Sequence, residues 1–286
     1  MAGAQDPTAY RFYRERMDGE GRPRPWMLAD LEEFAASYPN DPFAGRSLDG
    51  FAPKFALQLE ATEDPPIWIA LEPAELDRWA GVVARMWKRW GTFPGETIAF
   101  FEYGSSPLVL LASSGYVGYL RRGAAERLSL TAICNDGVAA MASRMVAIVE
   151  TLRPSMLILR RDLVLPFAMA LEVAGVSLAG CVRWVAVSEV EGAISRDQAA
   201  PISTRLGVPA WRILRSDAAF LLAGECPGCR AFHLDREYRA EALASGHVTI
   251  TARFANACPT IRFDLGTATL HRGGCALEPR AQRLEY

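Results

Sequence analysis

The 286-residue chain has no uninterrupted apolar stretch long enough to cross a bilayer. Its most apolar segment, residues 106–120, is short and broken by serines and glycines, so it is expected to be a core helix and no membrane partner is expected. The opening Met-Ala-Gly-Ala-Gln-Asp lacks the basic-then-apolar pattern of a secretory leader. Charge of one sign is also lacking. Thirty-one basic and 33 acidic residues give a net charge of −2, too even a balance to attract a polyanion, and nucleic acid is not expected as a partner. Six cysteines, unevenly spread, are not the framework of a secreted disulfide-rich domain. A cytoplasmic location is therefore expected. There is no Gly-x-x-x-x-Gly-Lys-Ser/Thr loop, no Gly-x-Gly-x-x-Gly turn and no His-Glu-x-x-His helix. Histidine is scarce, with only three in the chain.

Half of the residues are hydrophobic and a tenth are aromatic, enough for a sizeable packed core. Residues 1–50 are rich in charge and proline, with helical pieces expected at 10–17 and 27–37. Beyond Pro73, Leu76, Trp79, Ala80, Val83, Met86, Trp87 and Trp90 recur at helical spacing until Gly91. Strands are then expected at 97–103, 129–134, 156–160 and 182–188. They alternate with helices at 106–120, 138–152, 163–173 and 195–206. Single helices between strands imply parallel pairing. After residue 208 the helical pattern stops, and short strands are expected at 218–224, 232–235, 247–254 and 268–271. The fold class that follows is α/β, a mostly parallel sheet with flanking helices plus a C-terminal mixed β-region. The expected organisation is an N-terminal arm and loop region (1–72), an α/β subdomain (73–207) and a mixed β-region (208–286).

Cys226 and Cys229 stand two residues apart, the spacing by which one tight turn presents two sulfurs to one ion, and His233 follows. Zinc takes four ligands in a tetrahedron, so one more is needed, and Cys258, Cys275 and His271 are the candidates. The plainer alternative is a pair of thiols on a Pro227-Gly228 turn. If zinc binds, sulfur and nitrogen fill its coordination, and its role is structural. A second group lies where parallel strands end, which is where such sheets receive ligands. Glu102, Tyr103, Ser105 and Ser106 fall at one strand mouth, and Ser188, Glu189 and Glu191 at another. Carboxylates here could serve acid–base chemistry and Ser188 could be a nucleophile. The plainer alternative is that Ser105 or Ser106 caps a helix and the glutamates are solvated. The pairs Arg121-Arg122 and Arg160-Arg161 are taken as element termini.

From about residue 27 onward, several segments resemble the large domain of phenylacetate–CoA ligases and coenzyme F390 synthetases, within the adenylate-forming superfamily. They are Arg78-Trp79 through Pro94-Gly95-Glu96, Phe101-Glu-Tyr-Gly104, Gly123-Ala-Ala-Glu-Arg-Leu128, Arg153-Pro-Ser-Met-Leu157, Arg205-Leu-Gly-Val208 and Pro259-Thr-Ile-Arg-Phe263. The resemblance implies the adenylate-forming large-domain fold, with the small C-terminal domain expected to be absent because Tyr286 falls where the hinge to it begins. It also selects Cys275 as the fourth metal ligand beside Cys226, Cys229 and His233, and implies that Leu214, with Tyr103, Ser105, Ser106 and Ser188, lines a substrate pocket.

The family's nucleotide motifs are replaced. Its glycine-rich phosphate loop becomes Leu59-Glu-Ala-Thr-Glu-Asp-Pro-Pro-Ile67, whose Glu60, Glu63 and Asp64 repel phosphate. The adenine segment becomes Ser188-Glu-Val-Glu191. The magnesium segment becomes Leu214-Arg-Ser-Asp-Ala218, and the ribose segment Leu265-Gly-Thr267. Zinc is thus the expected cofactor, and neither ATP nor magnesium is expected. The leading expectation is an ATP-independent enzyme acting on an aromatic or acyl small molecule by condensation, cyclisation or acyl transfer in a specialised biosynthetic pathway. Ser188, Glu189 and Tyr103 would be its catalytic residues. The alternative is a non-catalytic pseudoenzyme that stabilises or regulates a protein partner or forms a homo-oligomer; residual ligase activity is a third. A deep pocket of convergent polar groups favours the enzyme, and a filled-in one with an apolar patch elsewhere favours the partner.

Overall fold

The structure is a computed structural model and describes residues 6–62, 65–254 and 257–286. Residues 1–5, where a leader was sought, and Glu63 and Asp64 of the altered loop lie outside the described residues. The chain forms two compact units: Ala80–Arg215 with Leu222–Phe232, and Met1–Trp79 with Ser216–Leu221 and His233–Tyr286. Among the described residues no helix is long and apolar enough to cross a membrane.

The first of these units is built on a seven-stranded sheet. Its centre is five parallel strands in the spatial order Thr131–Asp136, Thr97–Glu102, Met156–Arg160, Trp184–Ser188 and Ala210–Ser216. Two short strands, Glu191–Gly192 and Leu221–Gly224, both pair with Ala210–Ser216. The parallel strands are buried on both sides, so Met156-Leu-Ile-Leu159 reads as an unbroken apolar run. On one face Phe101, Leu159 and Val187 form a core with Met145 and Val149 of the Ala142–Leu152 helix and Phe167 and Leu171 of the Val164–Ala174 helix. On the other, Trp87 of the Pro73–Arg89 helix meets Phe100 at 5.5 Å between ring centroids. Gly224 allows a close approach there, because a Cβ on it would lie 2.5 Å from the Trp90 ring.

The second unit packs the Leu28–Ser37 helix, the antiparallel pair Phe55–Gln58 and Trp68–Leu71, and two three-stranded sheets. One sheet is Tyr238–Ala242, His247–Ala252 and Phe263–Thr267; the other is Phe232–Leu234, Gln282–Glu285 and Thr269–Arg272. Its core is aromatic, with Phe12 set edge-on to Tyr13, Trp26 and Phe34. Buried Arg46 ties distant segments together, donating to the carbonyl of Ala218 at 2.7 Å and to Thr260 at 3.2 Å while lying over the Trp26 ring.

Two local expectations change. The helix expected over 106–120 is only Pro107–Leu110, followed by turns and a short Ala124–Arg127 helix. Ser113 and Ser114 turn their hydroxyls, and Ser114 its amide, onto the Glu126 carboxylate, and these side-chain bonds replace the helical ladder. The expected strand 218–224 begins only at Leu221, and ahead of it lies an unforeseen fifth parallel strand, Ala210–Ser216. Its Arg212 and Arg215 disguise the strand in sequence, yet both are buried and face Glu225 and Glu102 respectively.

Candidate functional site

Thr131–Asp136 lies on one side of Thr97–Glu102 and Met156–Arg160 on the other, so successive connections leave the first strand in opposite directions. The crevice beyond the carboxyl ends at such a switch point is where open α/β sheets receive ligands. Register places Asp136 beside Glu102, and Arg160 beside Ser188. Tyr103 follows Glu102, is 37% exposed, and carries the Arg160 guanidinium 3.6 Å from its ring centroid. Asp162 clasps that guanidinium from the side, 2.6 Å from Nε. A cation flat on a tyrosine and gripped by a carboxylate is a pre-set arrangement.

Behind it lies a buried polar cluster. Ser188 donates its hydroxyl to the Glu102 carboxylate, and Arg215 Nη1 stands 3.6 Å from the same carboxylate. Glu102, Ser188 and Arg215 are each 0% exposed. Gly137 lies against Glu102, since a Cβ there would come within 2.7 Å of the Glu102 backbone. Of the other sequence-derived candidates, Ser106 is buried and caps the Pro107–Leu110 helix through the Leu108 amide. Ser105 is exposed, Leu214 is buried within its strand, and Glu189 pairs with Arg161 at 2.7 Å. Ser188 and Tyr103 thus belong to one neighbourhood, while Glu189 is turned to a surface arginine. All three histidines are engaged by carboxylates: His233 by Glu278, His247 by Asp264 and His271 by Glu285. Arg215 and Glu278 escaped the sequence reading, and Arg160 was taken there only as an element terminus. Arginines spaced within a mostly apolar run are the signal that could have found Arg215.

Phe55–Gln58 pairs with Trp68–Leu71, and described residues between them bond to one another. Leu59 donates to the Ile67 carbonyl, Thr62 to the Leu59 carbonyl, and Ile67 to the buried Thr62 hydroxyl. The Gly266 amide donates to the Asp264 carboxylate.

Cys226, Cys229, His233 and Cys275 come together, with one ligand atom from each lying within 4.8 Å of the others. Tetrahedral zinc–sulfur bonds of about 2.3 Å set sulfurs about 3.8 Å apart, so this grouping suits such an ion. The Cys226–Arg230 turn is held by the Arg230 amide donating to the Cys226 carbonyl and the Cys226 amide to the Ala231 carbonyl. His233 is buried, and its Nδ1 is 2.9 Å from the Glu278 carboxylate, which leaves Nε2 for an ion. Cys258 is elsewhere. Its sulfur accepts from the Ala70 amide, and burial pushes its thiol up to about 11.

No protein-family model and no curated protein matches the chain. Solved structures do. The thioesterification-state structure of a 2-hydroxyisobutyryl-CoA ligase, in complex with 2-HIB-AMP and CoA, matches with TM-score 0.75 and 18% identity, over 96% of this chain and 63% of that one. An open conformation of that ligase, also with 2-HIB-AMP and CoA, matches with TM-score 0.74 and 17% identity, over 96% and 69%. The amide bond synthetase McbA from Marinactinospora thermotolerans matches with TM-score 0.53 and 12% identity, over 81% and 48%. The chain shares a mixed α/β fold, with a mostly parallel sheet, with these structures, and it spans 62% to 69% of the length of the matched 2-hydroxyisobutyryl-CoA ligase chains.

Proposed function

We propose that this chain is a non-catalytic relative of the adenylate-forming ligases, a pseudoenzyme that stabilises or regulates a protein partner and whose β-region is held by structural zinc. The observation that carries this reading is the closed strand mouth. Glu102, Ser188 and Arg215 are packed together without exposure, and the Ser188 hydroxyl is bonded to the Glu102 carboxylate away from solvent. The hydrogen bonds among Leu59, Thr62 and Ile67 support the same reading for ATP and magnesium. A partner surface is available: the Val164–Ala174 helix leaves Leu165, Met169 and Val173 exposed at i, i+4 and i+8, with Val173 at 91%. Zinc suits the three-thiol, one-imidazole donor set, and with four protein ligands it has no open position for substrate. A cytoplasmic setting, which keeps thiols reduced, belongs to this reading.

The test is thermal stability of the purified protein against ATP-magnesium, aromatic acids and acyl thioesters. No nucleotide or thioester shift is expected. Stabilisation by ATP-magnesium would overturn the reading. Photo-crosslinking from position 169 in the native host should give one protein adduct, absent from a control at Glu150.

A second reading has its own observation. Tyr103 is part-exposed beneath Arg160, and exposed Ser105 follows it, which suits a small aromatic or acyl ligand bound without ATP. Turnover of an aromatic or acyl substrate that is lost in Tyr103→Ala would establish that reading.

A further inference from the structure

The N-terminal part of the chain carries a cleft of about 490 Å³, formed by Arg11, the segment 37–43 and the segment 47–51. That size lies within the range of small-molecule sites. Its apolar wall includes Pro39, Pro42, Phe43 and Phe51. Its polar side includes Arg11, Asn40, Asp41, Ser47 and Asp49. Arg11 stacks over the Tyr38 ring at 5.2 Å, and its one carboxylate contact is Asp49 at 3.5 Å. Asp49 is 83% exposed, so that contact is solvent-screened and easily exchanged. Asp41, the other acid in the wall, is already committed, accepting from the amides of Phe43 and Gly45 at 3.1 and 2.9 Å. The Ser47 hydroxyl is shielded from solvent and has no hydrogen-bond partner among the described residues.

We propose that this cleft binds an organic carboxylate, with the acid group on Arg11 and Ser47 and an aromatic or acyl body against the prolines and phenylalanines. A carboxylate supplies the acceptor that the shielded hydroxyl lacks and forms a charge-assisted pair with a guanidinium already oriented by stacking. Asp49 holds the place of the ligand's acid group and leaves when it arrives. The site is separate from the strand mouth and from the zinc ligands, and it stands whether or not the chain is a pseudoenzyme.

The experiment is calorimetric titration of the full chain with 2-naphthoate, decanoate and 2-naphthamide. Saturable binding of at least one acid and none of the amide is expected. Arg11→Gln should weaken acid binding about tenfold or more, the loss of one charge-assisted contact. Asp49→Asn should tighten it several-fold by removing the competing carboxylate. Circular dichroism and melting temperature of both variants should match the parent, because both side chains are on the surface. Equal binding of acid and amide, weaker binding in Asp49→Asn, an unaffected Arg11→Gln, or no saturation at millimolar acid would each overturn the proposal.

Discussion

Two polar clusters are buried in this protein, and they differ in what they leave unfinished. At the strand mouth, the Ser188 hydroxyl is bonded to the Glu102 carboxylate and Arg215 stands beside it, all three out of solvent. In the Cys226, Cys229, His233 and Cys275 cluster, Glu278 holds Nδ1 of the histidine, and three cysteines gather around the same side chain. The first arrangement pairs protein groups with one another. The second gathers side chains of the types that bind zinc. Buried ionisable residues therefore do not by themselves mark an active site; what matters is whether their chemistry is already satisfied.

That contrast can be broken by mutation. The largest effect is expected from Cys226→Ser or from chelation, which would remove the proposed zinc ion. A loss of more than about 4 kcal/mol is predicted, since metal-binding energy in structural sites is folding energy. It should be seen as a large drop in melting temperature together with loss of one equivalent of zinc by elemental analysis. Purified protein without zinc, at full stability, would defeat the metal assignment.

Glu102→Ala comes next. It removes a carboxylate beside the buried Arg215 and should cost about 3–5 kcal/mol in denaturant unfolding, the usual penalty for breaking a buried pair from one side. Were the mouth a solvent-filled active site, the same change would cost little stability. Glu278→Gln sharpens the other half of the comparison. It keeps the shape but weakens the acceptor for His233 Nδ1, and should speed zinc release to a chelator about 10–100-fold. Cobalt-substituted protein should show a shifted visible spectrum in the same variant. Ser188→Ala is expected to be the mildest, about 1 kcal/mol for one lost hydrogen bond. If Ser188 were a nucleophile, this variant would abolish an activity while barely moving stability.

Legibility in the sequence followed the range of the interactions. The Pro73–Arg89 helix was visible because its apolar positions repeat at 3.6 residues, and Leu76, Trp79, Ala80, Val83, Met86 and Trp87 are indeed buried. Met156–Arg160 was visible as a short apolar run. The Ala210–Ser216 strand was hidden because two of its seven residues are arginines, whose burial depends on glutamates supplied by Thr97–Glu102 and by Glu225. The helix over 106–120 failed because Glu126, beyond its end, captures Ser113 and Ser114. Sequence periodicity has no access to such a partner.

The Cys-x-x-Cys spacing and the following histidine are local, so spacing alone offered three candidate metal ligands, and the family resemblance added Cys275. That Cys275 comes within reach of the other three, and that a carboxylate 45 residues away stands behind His233, depends on how the chain returns, which is a matter of tertiary structure. The same holds for Ser188. Its place at a strand end was readable from the order of strands and helices. That its hydroxyl is spent on Glu102, 86 residues earlier and fully buried, is a property of side chains meeting across the sheet. Local spacing fixes which groups are offered, and packing fixes whether they remain available, because burial and partnering are set by residues far apart in the chain.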